Sequence, residues 1–408
     1  MVNSLLTFAS VMKSVGGVAL AIIVLLVMVT IHEFGHYVVG KWLGFRINEF
    51  SVGFGPAVLK KRSKKTGELF ALRVIPLGGF CAFDGEDEID EPTQSVEDPF
   101  LGEYQADDKK DGGRVEPSAD LPIPKGARFN DQAPWKRILV LLAGAFMNYV
   151  LALTLIITLF ACFGRPVYEV VIGETDETKI ENVEETAWQS GDVILKIDGR
   201  NVYMITDYMD VLDGKKKGES VDVLVLRGGR EKSIAVTLLE NADFVNMSDT
   251  RTLLFSLGIA DRNESGEVVR SGGLYSVSEK SGFFGTIGHS FAYSWKIGGT
   301  VLRSLGELLT GKLGLEAMGG PITTIKVTSE VASSGFASLL NIASFIGVNL
   351  AVFNLLPIPA LDGSKVIFCL IEWIRKKPVN RKIETMIHFV GILFLFGFAI
   401  LVDILQLF

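Results

Sequence analysis

Ile31-His32-Glu33-Phe34-Gly35-His36 is the stretch on which the reading of this 408-residue chain turns. It lies where an apolar run meets its first basic residue, Lys41. Between Lys13 and Lys41 the ionisable side chains, Tyr37 aside, are His32, Glu33 and His36. A helix of about 3.6 residues per turn stacks His32 and His36 on one face and sets Glu33 beside them. This is the H-E-x-x-H spacing in which two imidazoles hold zinc and the glutamate serves as general base. Two histidines and a glutamate can also simply face solvent on a soluble helix. Inside an apolar run that reading is costly, because each such group needs a partner there. A hydrolytic metal site in a membrane-length helix points to a substrate that is itself in the membrane.

Working outward, residues 15–31 carry no charge, and extension to Gly40 gives about 25 residues, enough to span a bilayer with tilt. No A-x-A-like cleavage site follows, so the segment is expected to be a retained span rather than a signal peptide. Residues 41–73 hold eight Lys/Arg against two acidic residues. The positive-inside bias predicts that this side is cytoplasmic, with the N-terminus outside and the motif near the cytoplasmic end. Further spans are predicted at 138–163, 331–361 and 386–402, and five basic residues between Arg375 and Lys382 again mark the cytoplasmic side. Mean hydropathy of +0.35 with 21% charged residues fits such a mixture of apolar spans and soluble segments. A net charge of −7 argues against nucleic acid as a partner. Cys81, Cys162 and Cys369 are scattered, which argues against a disulfide framework or a cysteine zinc site.

The connecting segments differ in character. Residues 45–59 and 68–83 are strand-like and flank a polar tip at 60–67. The resulting hairpin either offers a strand edge to an extended peptide or is a plain cytoplasmic loop. Residues 84–131 are acidic and rich in Pro and Gly, an insertion that cannot bury a core. From Arg165 the chain reads as soluble and, by alternation of spans, extracytoplasmic. Asp198-Gly199 and Gly228-Gly229 mark hairpins, with a short helix predicted at 205–212, giving a small β-rich domain. Residues 281–310 suit a helix lying in the membrane interface, and Gly319-Gly320-Pro321-Ile322 marks a break.

A catalytic zinc wants three protein ligands and one open position. The two other histidines serve poorly: His289 falls on the outer side, and His388 suits packing or an interface. Asp362 is the better third ligand. It closes the string Asn354-Leu355-Leu356-Pro357-Ile358-Pro359-Ala360-Leu361-Asp362-Gly363, in which two prolines disrupt the helix at membrane depth. Irregular backbone there is tolerated only where protein or a water-filled cavity covers it. In the second span, Gly144 of Gly-x-x-x-Asn lets a neighbouring helix approach, and the Asn148 amide needs an interhelical partner, which plain packing also satisfies.

With these motifs placed, the chain resembles the site-2 protease family of intramembrane zinc metalloproteases, of the bacterial regulator of sigma-E protease type. The resemblance covers nearly the whole chain and rests on residues 32–36, 144–148 and 354–363 and on a PDZ-like domain after the second span. It implies His32, His36 and Asp362 as ligands of Zn2+ and Glu33 as the catalytic acid/base. The implied substrate-binding set is Asn354, Asn148, Gly144 and Pro357, with Asn354 contacting the substrate backbone or the oxyanion. The hairpin resembles a membrane-associated β-loop that presents substrate as an added strand, and the PDZ-like domain a size filter. Implied substrates are single-pass transmembrane proteins, such as anti-sigma factors or signal-peptide remnants. An upstream site-1 protease cuts them first, in regulated intramembrane proteolysis.

The expected architecture is a mixed membrane protein with a four-span α-helical transmembrane core, a membrane-associated β-hairpin and an extracytoplasmic α+β PDZ-like domain. In order, 1–44 is the first span, 45–83 the hairpin, 84–134 the acidic insertion and 135–164 the second span. The PDZ-like domain follows at 165–245, then a linker with the interfacial helix at 246–330. The third transmembrane segment takes 331–374, and 375–408 forms the basic turn and fourth span. The protein is expected to be multi-pass in the plasma or inner membrane, in contact with the lipid bilayer, with both termini outside and the active site near the cytoplasmic face. A catalytically inactive PDZ-bearing scaffold with a structural metal is the alternative. A transporter would want paired broken helices in two matching halves, which the chain lacks.

Overall fold

The computed structural model describes residues 2–86, 122–175, 187–244, 249–262, 268–311, 314–315 and 319–406. Most of the acidic insertion, residues 87–121, lies outside the described residues. The contacts divide the chain into two units. One comprises residues 1–156, 294–308 and 314–408, the other chiefly residues 157–293.

The first unit opens with helix α1, Val2–Leu43, followed by strands β1, Ile47–Arg62, and β2, Leu69–Phe83. The expected hairpin is present, and both of its strands also fold over on themselves. Residues 49–52 pair with 79–82 on one side and with 69–72 on the other, while 57–62 pair with 69–73. The result is a sheet of four segments in the order 79–83, 47–52, 69–73, 57–62. Gly53, at φ +88°, allows the first fold, since a Cβ there would strike the Ile75 carbonyl oxygen at 2.7 Å. The described ends of the insertion return to the root of this sheet. Phe129 donates its N–H to the Asp84 carbonyl at 2.7 Å, and the rings of Phe45, Phe83 and Phe129 pack at 5.4–5.6 Å. Helix α2, Pro134–Phe163, then opens on proline, whose missing N–H has no intrahelical use in a first turn.

The second unit is an antiparallel sheet. It begins with β3, Arg165–Thr175, β4, Asp192–Ile197, and β5, Arg200–Asn201. Helix α3, Ile205–Leu212, and strands β6, Ser220–Arg227, and β7, Arg230–Thr237, come next. Helix α4, Thr250–Ser256, and strands β8, Asp261–Arg262, and β9, Val268–Glu279, complete it. The strand order is β7-β6-β4-β3-β9-β8, with β5 beside β4. Alternation along β6 sends Val221, Val223 and Val225 inward, and a register shift in β4 between Ile194 and Lys196 lets Ile194 and Ile197 join them against Tyr208, Met209 and Leu212 of α3. Fully burying each such side chain contributes about 1.5–3 kcal/mol. Residues 246–280, expected as linker, instead supply α4 and β9. Strand β9 pairs with β3 from Arg165–Glu279 onward, because a sheet edge as long as β3 needs a partner. Helix α5, Phe283–Leu309, leads out of the sheet.

Helices α6, Pro321–Ala332, α7, Phe336–Leu355, α8, Asp362–Arg375, and α9, Arg381–Leu405, close the first unit. The third span is thus shorter than 331–361. Gly335, at φ +142°, separates α6 from α7, and α7 stops at Leu355 because Pro357 cannot continue it. Among the described residues, four segments are long and apolar enough to cross a membrane: Val15–Leu43, Pro134–Phe163, Phe336–Leu355 and Arg381–Leu405. Val24 and Met28 of α1 pack against Ala343 and Ile346 of α7, with Leu151 and Leu155 of α2 closing the contact.

Candidate metal centre

Helix α1 brings His32 and His36 onto one buried face, their Nε2 atoms 3.1 Å apart. Asp362, in the first turn of α8, completes a triangle. Its Oδ2 lies 3.0 Å from His32 Nε2 and 3.3 Å from His36 Nε2. A helix N-terminus favours a carboxylate at that position. The residues are more than 300 positions apart in sequence, so the triangle exists only through the fold.

The protons on these groups indicate what the triangle is for. His36 donates Nδ1–H to the Val140 carbonyl of α2 at 2.8 Å, which leaves its Nε2 a lone pair. The Asn148 amide lies 3.4 Å from His32 Nδ1, and its Oδ1 is otherwise buried without a hydrogen bond. With that oxygen turned to Nδ1, His32 Nε2 likewise carries a lone pair. Two lone pairs and a buried carboxylate oxygen then face one another within 3.3 Å and repel unless a cation lies between them. Tetrahedral zinc with bonds of about 2.0–2.1 Å sets its ligand atoms about 3.3–3.4 Å apart. The three residues fit zinc.

The loop before Asp362 owes its shape to α9. Ala360 sits at φ +82°, unusual for an L-residue, and donates its N–H to His388 Nδ1 at 3.2 Å. Leu361 N–H bonds the Ile358 carbonyl at 3.1 Å, and Ser364 Oγ bonds the Leu361 carbonyl at 2.8 Å. His388, expected from sequence to serve packing or an interface, therefore supports the segment that carries Asp362. No local motif announces such a contact; scarcity of histidine is the one signal that could have flagged it.

Beside the triangle lies a cavity of about 400 Å³ lined by His32, Glu33 and Asp362, by Asn148 and Asn354, and by Phe54 and Gly78 of the sheet. Of the four residues expected to bind substrate, Asn354 and Asn148 line it, whereas Gly144 and Pro357 do not. Gly144 lies instead against the imidazoles. A Cβ there would come 2.7 Å from His32 Cε1 and would also strike His36 Nε2. Pro357 stands in the loop that ends α7. Tyr37 and Lys41, one and two turns beyond Glu33, hold the buried Glu68 of the sheet, a link that sequence spacing could not reveal.

Comparison with known proteins agrees with this geometry. Residues 20–398 match the model of peptidase family M50. The regulator of sigma-W protease RasP of Bacillus subtilis is 26% identical, over 95% of this chain and 98% of its own length. Zinc metalloproteases RasP of Geobacillus kaustophilus and Oceanobacillus iheyensis are each 28% identical. The first match spans 91% of this chain and 92% of the relative, the second 94% and 97%. An inactive scaffold is not favoured among relatives named as zinc metalloproteases. The chain belongs to peptidase family M50, and it is a site-2 type intramembrane metalloprotease that uses zinc.

Proposed function

We propose that His32, His36 and Asp362 hold the zinc ion and that Glu33 is the general base and acid of peptide hydrolysis. The convergence of these three ligand atoms beside a cavity that also receives Glu33 carries the reading. When bound, zinc polarises the scissile carbonyl and acidifies water. Glu33 takes the proton from the attacking water and delivers it to the leaving amine. Asn354 donates its amide N–H to the substrate backbone or to the developing oxyanion. Asn148 and the Val140 carbonyl keep the two imidazoles in the tautomer that binds metal. Neither Gly144 nor Pro357 touches substrate on this reading; the first leaves room for the metal and the second ends α7.

The substrates are single-pass transmembrane proteins, anti-sigma factors or signal-peptide remnants, already shortened by a site-1 protease. The name regulator of sigma-W protease, borne by the Bacillus subtilis relative, supports the anti-sigma class. The β1–β2 sheet presents the substrate as an added strand. The second unit is PDZ-like and extracytoplasmic, with both termini on its side, and the metal lies near the cytoplasmic face of a plasma or inner membrane crossed four times. The eight Lys/Arg of residues 41–73 support this orientation.

A Glu33→Gln variant tests the assignment. It is expected to keep its zinc and lose cleavage by about 10²–10⁴-fold. In cells it should accumulate a truncated single-pass protein that the parent enzyme removes. Undiminished cleavage by the variant refutes the role of Glu33.

A further inference from the structure

The eight cations of residues 41–73 fall into two sets. Lys41, Arg46 and Arg73 are each paired, with Glu68 at 2.5 Å, Asp84 at 2.9 Å and Glu49 at 2.7 Å. The other five, Lys60, Lys61, Arg62, Lys64 and Lys65, are all exposed and crowded into six consecutive positions where β1 turns into β2. Among the described residues none of these five meets a carboxylate, and Arg62 donates to the Gly67 carbonyl at 3.2 Å. Charge that the sheet neutralises elsewhere is left uncompensated at its tip.

The tip is also held at a definite level. Glu68, just past the turn, accepts hydrogen bonds from Lys41 Nζ and, at 3.1 Å, from Tyr37 Oη, which ties the tip to the last turns of α1. Trp42, next to Lys41, is 81% exposed, as an interfacial tryptophan is at the end of a spanning helix. Val58 and Leu59, on the strand running into the tip, are also exposed, at 60% and 64%. Apolar side chains lead up to the cations as bilayer leads up to headgroups.

We propose that the tip at residues 60–65 is a docking surface for the headgroups of anionic phospholipids in the membrane that α1 enters. Five cations at headgroup level meet lipid phosphates there, each worth about fivefold in partitioning to an anionic surface at low salt. Val58 and Leu59 rest on the adjoining acyl boundary. Lipid charge thereby sets the depth of the sheet against α1. The competing occupant is the chain's own segment 87–121, with 12 acidic and 3 basic residues and hence a net charge of −9.

The test compares full-length protein in nanodiscs of phosphatidylcholine alone and with about 30% phosphatidylglycerol, at low salt, after brief treatment with an amine-acylating reagent. Mass spectrometry then reads each lysine. Lys60, Lys61, Lys64 and Lys65 are expected to react at least about threefold more slowly in the anionic discs, with Lys216 and Lys217 unchanged. The difference should vanish at about 0.5 M salt, where the Debye length falls to about 4 Å. Equal reactivity in the two discs overturns the proposal: slow in both assigns the tip to the segment 87–121, and fast in both leaves it solvated. Replacing the four lysines with glutamine should abolish enrichment of phosphatidylglycerol on the purified protein in native mass spectrometry. Retained enrichment places the bound lipid elsewhere and refutes the assignment.

Discussion

Gly144→Ala is the smallest perturbation that should disable the metal centre, and its size follows from the coordinates. The added carbon would lie 2.7 Å from Cε1 of both His32 and His36 and would strike His36 Nε2. Ordinary carbon contacts begin near about 3.5 Å, so at least one imidazole must retreat by roughly 0.8 Å. Metal–ligand bonds tolerate about 0.2 Å. Neither ring has an easy retreat: both are buried, and His36 is tied to the Val140 carbonyl at 2.8 Å. Loss of a group that merely orients a ligand lowers metal affinity about 10–100-fold, so displacing a ligand should cost at least about 100-fold. The helix itself gains, since alanine is favoured over glycine by about 1 kcal/mol in a helix interior. Lost function therefore cannot be blamed on a failure of α2 to fold. Zinc content measured against a graded chelator, cleavage of a transmembrane reporter peptide and thermal unfolding separate these effects. Full zinc occupancy with cleavage within about twofold of the parent would refute the placement of Gly144 against the metal.

Three further outcomes follow from other contacts. His388→Phe keeps a ring but removes the acceptor of the Ala360 N–H, so zinc affinity and cleavage should fall together by about 10-fold while the helical signal is unchanged; a variant equal to the parent excludes positioning by His388. Arg137 is 1% exposed and lies 2.7 Å from Glu372, so Arg137→Met, which leaves that carboxylate with Arg381 at 3.6 Å, should cost about 2 kcal/mol in thermal unfolding, and adding Glu372→Gln should recover part of it. Burial, with Arg165 adding to it, holds the His289 imidazole below its ordinary range, so its contribution is full above about pH 6.5 and is lost as pH falls through the lowered value. Hydrogen exchange in β3 and β9 should accelerate on that acid side in the parent, and His289→Gln should flatten the response.

Much of the centre was legible because its chemistry is unusual for its surroundings. His32, Glu33 and His36 stand out in an apolar run, and Asp362 stands out after two prolines where a helix would otherwise continue. Local pattern also captured α3 at 205–212 and the Gly228-Gly229 turn, since both depend on neighbours in sequence. What escaped depends on contacts between distant segments. That β1 and β2 each fold into two segments follows from Gly53 meeting the Ile75 carbonyl, and a strand-like run cannot announce where it doubles back. The pairing of β9 with β3 joins residues 95 to 114 positions apart, so composition alone made 246–280 look like a linker. For Gly144 the sequence signals close approach of a neighbouring helix without naming what approaches, and the His32 and His36 rings stand there.

On the proposed assignment, the sheet and the metal centre solve two halves of one problem. A peptide bond within a membrane-spanning helix is shielded by the helix itself, and unwinding it in lipid leaves N–H and C=O groups unpaired at several kcal/mol each. Water at the metal is of no use until that cost is met. A strand edge meets it by taking up the freed groups one residue after another. Among the described residues, segment 79–83 pairs with the sheet on the side of 47–52 only, and Gly78 and Gly79 at its start line the cavity that holds Glu33. The place where a substrate backbone can find new partners is therefore the place where its carbonyl can be attacked. Cleavage should then track how readily a substrate helix gives up its own hydrogen bonds. Helix-breaking residues placed at the bond to be cut, rather than a particular side chain there, should decide which membrane proteins are cleaved.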